Sequence, residues 1–277
     1  MKPSRTFLEL EPEYARYNTS KFVVVPCPHE VSVSYGGGTK RGPQAILDAS
    51  FYVENFDEEL KQETYRKTGI HTLKPVKISR LPAAIHKILK DKKIPITLGG
   101  EHSLSVETVK ATLAHYPRLS VLQFDAHADL RDEYHGSKKS HACALRRILE
   151  MCPAVQVGIR NLSEEEYRFA RETKQIDRIH FAEHLDVAEK VVTQLHEHVY
   201  ITFDVDAFDS SVMPSTGTPE PGGFFWYEVL DILREVCRLK KVVAADFVEL
   251  SPIKGLHAPD FTVAKLIYRL MGYISKP

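Results

Sequence analysis

The sequence has few cysteines and no long uninterrupted stretch of apolar residues. Its four cysteines, Cys27, Cys143, Cys152 and Cys237, form no C-x-x-C pair and are too few for a disulfide scaffold in 277 residues. No window approaches the roughly 18 apolar residues of a membrane-spanning helix, and the amino-terminal segment lacks the apolar core of a secretory signal. We therefore expect a cytoplasmic protein with reduced thiols and no membrane partner.

An excess of charge of either sign is also missing. Lysine plus arginine and aspartate plus glutamate number 37 each, so the formal net charge is zero at pH 7. Such a chain has no general electrostatic attraction to nucleic acid or to an anionic membrane, and we expect neither partner. The chain is long enough to bury a large core, so stability alone does not require a cofactor. A small neutral or cationic substrate is compatible with this composition.

The pattern that is present alternates short β-branched segments with longer amphipathic segments, which predicts βα units and a mainly parallel sheet. The predicted strands cover residues 22–25, 94–98, 119–124, 155–159, 198–203 and 242–248. The predicted helices cover residues 43–49, 81–90, 103–115, 141–151, 164–172, 183–196, 226–239 and 260–271. No flexible linker or repeat divides these segments, so we predict one domain over residues 1–277. Residues 51–79 are the least legible part.

Ligand-type side chains follow three of the predicted strands. In a parallel α/β sheet, ligands bind beyond the carboxyl ends of the strands. Asp125, His127 and Asp129 follow the strand at 119–124, and residues two apart in an extended chain point to the same side. Asp204 and Asp206 follow the strand at 198–203 in the same manner. His102 follows two glycines at the end of the strand at 94–98.

These six residues, two imidazoles and four carboxylates, predict a dinuclear metal site if they converge. Like charges 4 Å apart repel by roughly 4 kcal/mol per pair at an effective dielectric of about 20, so bare carboxylates would not gather. Two divalent cations would offset the charge, and oxygen-rich ligands with two histidines suit Mn²⁺. Metals about 3.5 to 4 Å apart activate a bridging water as a nucleophile. Taken singly, the two aspartate motifs would also fit solvated turns, and His102 would fit an ordinary surface or core histidine.

The same motifs, together with flanking segments, resemble the signatures of the ureohydrolase family, which contains arginases and agmatinases. The resemblance is carried by residues 99–103 (GGEHS), 125–129 (DAHAD), 203–209 (FDVDAFD), 216–223 (TGTPEPGG), 38–43 (GTKRGP) and 246–252 (DFVELSP). It implies an arginase-like fold, with three layers in the order α/β/α and a mainly parallel central sheet. It also implies a homo-oligomer, a trimer or a hexamer.

Carried over position by position, the resemblance implies two Mn²⁺ ions in each subunit and assigns each of the six residues as a metal ligand. His102 and Asp129 would hold one ion, His127 and Asp206 the other, and Asp125 and Asp204 would bridge the pair. The division between the two ions is less firmly fixed than the set of six. Glu101 stands where many relatives have aspartate, and Ser210 where many have proline, but neither is a ligand position.

Three further roles follow from the resemblance. Glu249 would clamp the guanidinium of the substrate, and His141 would shuttle protons, with His135 of the same loop as a competing candidate. The hypothesis is that a hydroxide held between the ions attacks the guanidinium carbon. Asp129 or His141 then delivers a proton to the departing amine, and urea is the co-product.

The substrate implied by the loop before His141 is agmatine, which would give putrescine and urea. Arginases carry an S-x-N-x-H-G-like loop there, and this chain has only residues 136–141 (GSKKSH). Agmatine ends in an ammonium, so Lys138 and Lys139 should point away from the site, with Asp132 or Glu133 nearer. Lysines turned inward would favour guanidinobutyrate instead.

Other readings stay open from the sequence: another ureohydrolase (a guanidinobutyrase or an arginase), a deacetylase of the related fold with a single zinc, and a noncatalytic metal-binding relative. The deacetylases keep the aspartate and histidine of D-x-H but have no counterparts of His102 and Asp129. One metal ion per chain would therefore favour a deacetylase. The noncatalytic reading is opposed by the fact that all six ligand positions are filled.

Overall fold

A computed structural model describes residues 5–184 and 186–276 of the chain. Its centre is an eight-stranded sheet in which every pair of neighbouring strands is parallel. The spatial order is β4-β1-β5-β10-β9-β6-β7-β8. These strands are β1 (Phe22–Cys27), β4 (Ile70–Thr72), β5 (Ile94–Gly99), β6 (Leu119–Phe124), β7 (Ala154–Ile159), β8 (Ile179–Phe181), β9 (His198–Asp204) and β10 (Lys241–Val248). A separate hairpin pairs β2 (Phe56–Asp57) with β3 (Gln62–Glu63) in antiparallel register.

Helices cover both faces of the sheet. They are α1 (Gly42–Ser50), α2 (Thr64–Thr68), α3 (Leu81–Lys90), α4 (Leu104–Leu113), α5 (Ala144–Leu149), α6 (Glu164–Glu172), α7 (Ala188–Gln194), α8 (Trp226–Leu239) and α9 (Ala258–Ser275). Side chains of α1, α7, α8 and α9 share one apolar cluster, and side chains of α3, α4, α5 and α6 belong to two others. Alternate residues of β1 enter opposite clusters. The predicted three-layer α/β/α fold is confirmed.

Local sequence explains where several helices begin and which face they bury. In α8, buried positions recur at Val229, Leu230, Ile232, Leu233 and Val236, the three-to-four spacing of one helix face. A capping box begins α6, where Ser163 and Glu166 satisfy each other's backbone N–H groups. Proline stands in the first turn of α1, α3 and α9, where its missing N–H costs no hydrogen bond.

The six predicted strands are confirmed with ends within two residues, and two three-residue strands at the sheet edges, β4 and β8, were missed. Such short segments carry too little alternation to be recognised. The predicted helix at 141–151 is a 3₁₀ turn (His141–Cys143) followed by α5. The predicted helix at 183–196 shortens to α7, and Leu185 within it lies outside the described residues. Over residues 5–184 and 186–276, the structure contains no helix with the length and apolarity to cross a bilayer.

The topology places the three ligand-bearing strands together. In the sheet order, β5, β10, β9 and β6 are consecutive, so the segments after β5, β9 and β6 leave the same edge. Strand β10, which leads into Glu249, lies between β5 and β9. Because all four strands are parallel, their carboxyl ends meet at the centre of one edge of the sheet.

Candidate metal centre and active-site pocket

In the segment after β6 and the segment at the end of β9, backbone N–H groups donate hydrogen bonds to the aspartates. Asp125 accepts from the backbone N–H of His127 at 2.6 Å, and Asp204 accepts from that of Asp206 at 2.9 Å. Asp206 in turn accepts from the N–H of Ala126 at 3.0 Å, which joins the two segments. These bonds fix the directions of the carboxylates before any cation binds.

Five of the six predicted ligands form two groups that share Asp125, and the sixth, Asp204, lies beside the first group. In one group, Nδ1 of His102 lies 3.1 Å from an Asp125 oxygen and 3.2 Å from an Asp129 oxygen. In the other, Nδ1 of His127 lies 3.0 Å from an Asp206 oxygen and 3.6 Å from Asp125. Both groups have ligand atoms close enough to hold a metal ion.

Asp204 and Asp129 complete the cluster, in different backbone conformations. A carboxylate oxygen of Asp204 lies 3.4 Å from Nδ1 of His102. Asp129 has a φ of 52°, in the left-handed region that residues other than glycine seldom adopt. All four aspartates are buried, and His127 is the most exposed of the six side chains. Strained backbone at a gathered set of polar groups is characteristic of functional sites.

The imidazole of His102 is oriented by a buried network that leaves one ring nitrogen unused. Nε2 lies 2.9 Å from the hydroxyl of Thr202, which donates at 2.6 Å to Asp246. Because that hydroxyl gives its proton to Asp246, it can only accept from Nε2–H. Nδ1 then faces the aspartates, and within the described part of the chain it has no hydrogen-bond partner. This donor set fits a divalent cation.

Without cations, the cluster holds protons. Burial, followed by the charges of Asp206 and Asp125, raises the pKa of Asp204 well above its ordinary value. Burial also raises the pKa of Asp129 to about 7. Burial alone would lower the pKa of the two imidazoles, but the aspartates outweigh it. They raise the pKa of His102 well above its usual value and that of His127 to about 12. Protons therefore stand where divalent cations would offset the charge.

Glu249 lies at the same edge, directly after β10. Its φ is 63°, a second strained position, and its N–H donates to the carbonyl of Gly100 at 2.8 Å. Its carboxylate accepts from the N–H of His102 at 2.7 Å. Burial raises its pKa to about 8. A cation beside Glu249 would favour the ionised form, which suits the predicted contact with a guanidinium.

Glycine at position 100 lets the chain after β5, which leads to His102, pass close to the backbone of His29. A Cβ at Gly100 would lie 1.9 Å from the carbonyl oxygen of His29, which is far inside van der Waals contact. The chain after β1 and the chain after β5 therefore run in direct backbone contact. The N–H of Glu101 donates to that same carbonyl at 2.8 Å.

A pocket of about 200 Å³ opens over the cluster. His102, His127, Asp129, Asp204, Asp206 and Glu249 all contribute to its wall, and so does His141. His135 does not line this pocket; its side chain is exposed and its ring packs on Tyr134 with centroids 4.2 Å apart. Between the two candidates for the shuttle, His141 is therefore the one that reaches the site.

Several polar residues around the site were not anticipated from the sequence. Nε2 of His127 faces the carboxylate of Glu220 at 3.9 Å, and the side-chain amide of Asn161 donates to that carboxylate at 2.5 Å. Asp246 lies inside β10 and is fully buried. For Asp246, the signal in the sequence was an aspartate in the middle of an apolar strand. Its partner Thr202 gave none, because threonine is common in strands.

Comparison with known proteins agrees with this geometry. A sequence model described as the Arginase family matches residues 20–272. The chain belongs to the arginase family. It is 36% identical over 288 residues to an N(1)-aminopropylagmatine ureohydrolase of Synechocystis sp., covering 97% of this chain and 94% of the relative. An agmatinase of Pyrococcus horikoshii is 35% identical over 263 residues, covering 91% of each chain.

Among solved structures, the crystal structure of a putative agmatinase from Clostridium difficile is similar, with a TM-score of 0.86 and 29% identity. The match covers 94% of this chain and 99% of that one. The predictions of an arginase-like fold and of a ureohydrolase-type enzyme are confirmed at the level of this family. The identity of the metal, the ligand roles and the exact substrate stay predictions.

Proposed function

We propose that this protein hydrolyses the guanidinium group of agmatine with two Mn²⁺ ions, releasing putrescine and urea. The observation that supports this most strongly is the buried convergence of four aspartates and two imidazoles next to Glu249. Ionised carboxylates this close repel one another, so the cluster needs bound protons or cations to offset its charge, and two divalent cations suit the six donors. Glu249 adds a carboxylate directed at the place where a guanidinium would lie over the cluster.

The proposed assignment of ligands to the two metal ions follows the two groups of side chains that share Asp125. We propose that His102 and Asp129 hold one ion, His127 and Asp206 the other, with Asp125 and Asp204 between them. When bound, two divalent cations supply charge compensation and a water of lowered pKa as the nucleophile. The unused Nδ1 of His102 supports its place in this set.

The remaining steps belong to side chains of the chain itself. Glu249 accepts two hydrogen bonds from the guanidinium and turns its central carbon toward the aspartates. Charge-assisted bonds of this kind contribute about 1.5 to 3 kcal/mol each. Asp129 lines the same pocket as Glu249, and we propose that it passes a proton to the departing amine. His141 exchanges protons with solvent at the mouth of the pocket.

The loop before His141 supports a substrate with a cationic tail. Lys138 does not line the pocket, and its ammonium pairs with Asp132 at 2.9 Å. Asp132 also accepts from Arg147 at 2.7 Å, so it is engaged away from the pocket and is not the anchor for an ammonium. Neither Lys138 nor Lys139 lines the pocket, and Arg131, which does, lies 3.9 Å from the carboxylate of Glu166, so this pattern favours agmatine over a substrate that ends in a carboxylate.

A second candidate substrate is N(1)-aminopropylagmatine, which carries the same guanidinium on a longer cationic tail. Relatives with 36% and 40% identity, each covering more than nine-tenths of this chain, bear that name. The chemistry at the cluster would be unchanged, because only the far end of the substrate differs. The amine released would then be longer by one aminopropyl unit.

A urea-release assay with the Mn²⁺-loaded protein separates these possibilities. The panel contains agmatine, N(1)-aminopropylagmatine, arginine, guanidinobutyrate and guanidinopropionate, with Asp204→Ala as the inactive control. We expect the highest kcat/KM for agmatine. A higher value for the aminopropyl compound selects the second candidate, and preference for arginine or guanidinobutyrate contradicts both. No urea from any compound would contradict the proposed function.

We also propose that the whole chain forms one catalytic domain that assembles as a cytoplasmic homo-oligomer, a trimer or a hexamer. One continuous eight-stranded sheet includes both β1, near the start of the chain, and β10, near its end, and apolar clusters join the helices to it on both sides. Light scattering coupled to size exclusion measures the assembly. A single cooperative unfolding transition is expected for one domain, and two separate transitions would contradict it.

A further inference from the structure

The segment between β1 and α1 forms a strap across the mouth of the pocket. We define the serine strap as residues 31–36. Ser32 and Ser34 line the pocket, whereas Val31 is 78% exposed and points away from it. The far end of the strap is held by a backbone bond from Gly36 to the carbonyl of Gly217 at 3.1 Å. The strap therefore places the hydroxyls of Ser32 and Ser34 at the site.

Glu101 anchors the near end of the strap. Its buried carboxylate accepts from the backbone N–H groups of Val31 at 2.5 Å and Ser32 at 2.6 Å. It also accepts from the hydroxyls of Ser32 at 2.9 Å and Ser103 at 2.5 Å. Four donors on one carboxylate form a well-defined attachment, because each oxygen accepts two bonds. Glu101, the residue before His102, therefore fixes the position of the strap.

The hydroxyl of Ser32 determines which nitrogen of His141 carries the proton. Its own proton goes to Glu101, and its oxygen accepts from the N–H of His141 at 3.0 Å. Nδ1 of the imidazole lies 3.2 Å from the same oxygen, and the Ser140 hydroxyl is farther at 3.4 Å. A hydroxyl can donate one hydrogen bond and accept two. The Ser32 hydroxyl donates to Glu101, accepts from the backbone N–H of His141, and accepts its second bond from Nδ1–H of the same residue.

The hydroxyl of Ser34 contacts the other nitrogen. It lies 2.8 Å from Nε2 of His141 and 3.4 Å from the phenol oxygen of Tyr134. With Nδ1 protonated, Nε2 of the neutral ring accepts from Ser34. When Nε2 gains a proton it donates to the Ser34 oxygen, whose hydroxyl turns toward Tyr134. Burial lowers the pKa of His141, so the neutral ring is the resting form near pH 7.

We propose that the serine strap, anchored by Glu101, positions His141 so that Nδ1 keeps its proton and Nε2 is the nitrogen that exchanges protons during turnover. Ser32 and Ser34 are positioning residues that act through His141. The inference rests on the proposed function, because it assigns an atom to the proton exchange of the same reaction. It adds roles for Glu101, Ser32 and Ser34.

The first test compares three variants at one strap in the Mn²⁺-loaded enzyme with agmatine. Ser34→Ala should lower kcat about ten-fold, the effect of one lost hydrogen bond, with KM and Mn²⁺ affinity unchanged. Ser34→Thr keeps the hydroxyl and should stay within about three-fold of wild type. Val31→Ala is the control, because its side chain points outward and its N–H is retained. A raised KM with unchanged kcat in Ser34→Ala would show substrate contact instead and overturn the proposal.

A double-mutant cycle with His141→Ala tests the coupling. If Ser34 acts through the imidazole, adding Ser34→Ala to His141→Ala should cause no further loss of kcat. An additional ten-fold loss would mean that Ser34 acts independently, which contradicts the proposal. An inactive wild-type enzyme would refute the proposed function itself, and this cycle cannot be confused with that outcome because it starts from measurable turnover.

The anchor is tested without activity, by hydrogen exchange of the Mn²⁺-loaded protein. Glu101→Gln replaces one acceptor oxygen with a donor, so the Val31 and Ser32 amides should exchange at least about ten-fold faster. Peptides from β6 and β9 provide the internal reference and should be unchanged. Exchange equal to wild type at both amides would contradict the role of Glu101. Faster exchange throughout the sheet would show a general loss of structure and would also contradict it.

Discussion

Two carboxylate clusters in this molecule balance their charge in opposite ways. At the carboxyl edge of the sheet, Asp125, Asp129, Asp204 and Asp206 gather, and within the described residues their ion-pair contacts are with imidazoles. In the second cluster, around α9, Asp57, Glu58 and Glu59 surround Arg269 at 2.8, 2.6 and 2.6 Å. Arg234 also contacts Glu59 at 2.7 Å.

The direction of the pKa shifts reflects this difference. Hydrogen bonding to Arg234, with smaller effects of Tyr273 and Arg269, holds the pKa of Glu59 at about 2. Burial and neighbouring aspartates instead raise the pKa of Asp204 well above its ordinary value. A cluster that carries its own cations is a structural element. A cluster that has only imidazoles is incomplete until cations arrive from solution, which is the signature of a metal site.

The largest expected effect is the loss of turnover when one aspartate of the first cluster is removed. In Asp204→Ala, a carboxylate proposed to lie between the two ions is missing, so we expect less than about 10⁻³ of wild-type kcat and fewer than two Mn²⁺ per chain. Metal analysis after dialysis and a urea-release assay measure both. Retention of two ions and full turnover would end the assignment of this cluster.

The next effect is on the substrate clamp. Glu249→Ala removes two charge-assisted hydrogen bonds but no proposed ligand, so kcat/KM should fall by roughly 10² to 10⁴ while both Mn²⁺ ions are retained. Glu133→Ala serves as the control, because that side chain is exposed and does not line the pocket. Steady-state kinetics decide the outcome, and unaltered constants would remove Glu249 from substrate binding.

In the second cluster, removal of the central cation should cost stability instead of activity. Arg269→Met leaves Asp57 and Glu58 without their partner, and breaking a buried pair of this kind costs about 3–5 kcal/mol. Denaturant unfolding measures the change. The matched control is Arg238→Met, which removes an exposed ion pair with Glu235 on α8 and is expected to leave the unfolding free energy almost unchanged. Equal effects of the two substitutions would contradict the structural role of Arg269.

Mn²⁺ should stabilise the folded protein by binding at the first cluster, and the second cluster should not contribute to this effect. At 100 times its dissociation constant, a ligand that binds only the folded state adds about 2.7 kcal/mol per site. Thermal unfolding of the chelator-treated protein should therefore shift upward on adding Mn²⁺. Asp204→Asn should lose much of that shift, whereas Arg269→Met should keep it. A shift of wild-type size in Asp204→Asn would separate Mn²⁺ binding from this site.

The smallest effect is a loss of stability in acid from Glu59. Its pKa is about 2 in the folded protein and 4.5 as the ordinary value, so its contribution is complete above about pH 4.5 and is lost as pH falls toward 2. Since the side chain is 30% exposed, solvent screening reduces the contribution to about 1 kcal/mol. The difference in unfolding free energy between wild type and Glu59→Gln should shrink over that range. A constant difference would contradict the ion-pair role.

Much of the fold was legible in the sequence because local patterns carry it. The runs of β1, β5, β6, β7, β9 and β10 are apolar enough to be recognised as buried parallel strands. The edges of the sheet were not recognised, since β4 and β8 have three residues each. The segment at 51–79 folds into a hairpin and the short helix α2. The second carboxylate cluster could not be predicted from the sequence, because Arg269 lies more than 200 residues from Asp57, Glu58 and Glu59.

By itself, the sequence determined the strand and helix segments of a mainly parallel sheet and the chemical types available at the strand ends, because burial periodicity and ligand spacing are properties of neighbouring residues. Only the tertiary structure decided which of those groups meet. The placement of β10 between β5 and β9 brings Glu249 to the aspartates. The backbone contact at Gly100 brings the serine strap to Glu101 and His141. Ser32 lies 69 positions from Glu101 and Ser34 lies 107 positions from His141, so these contacts arise from topology and no local pattern encodes them.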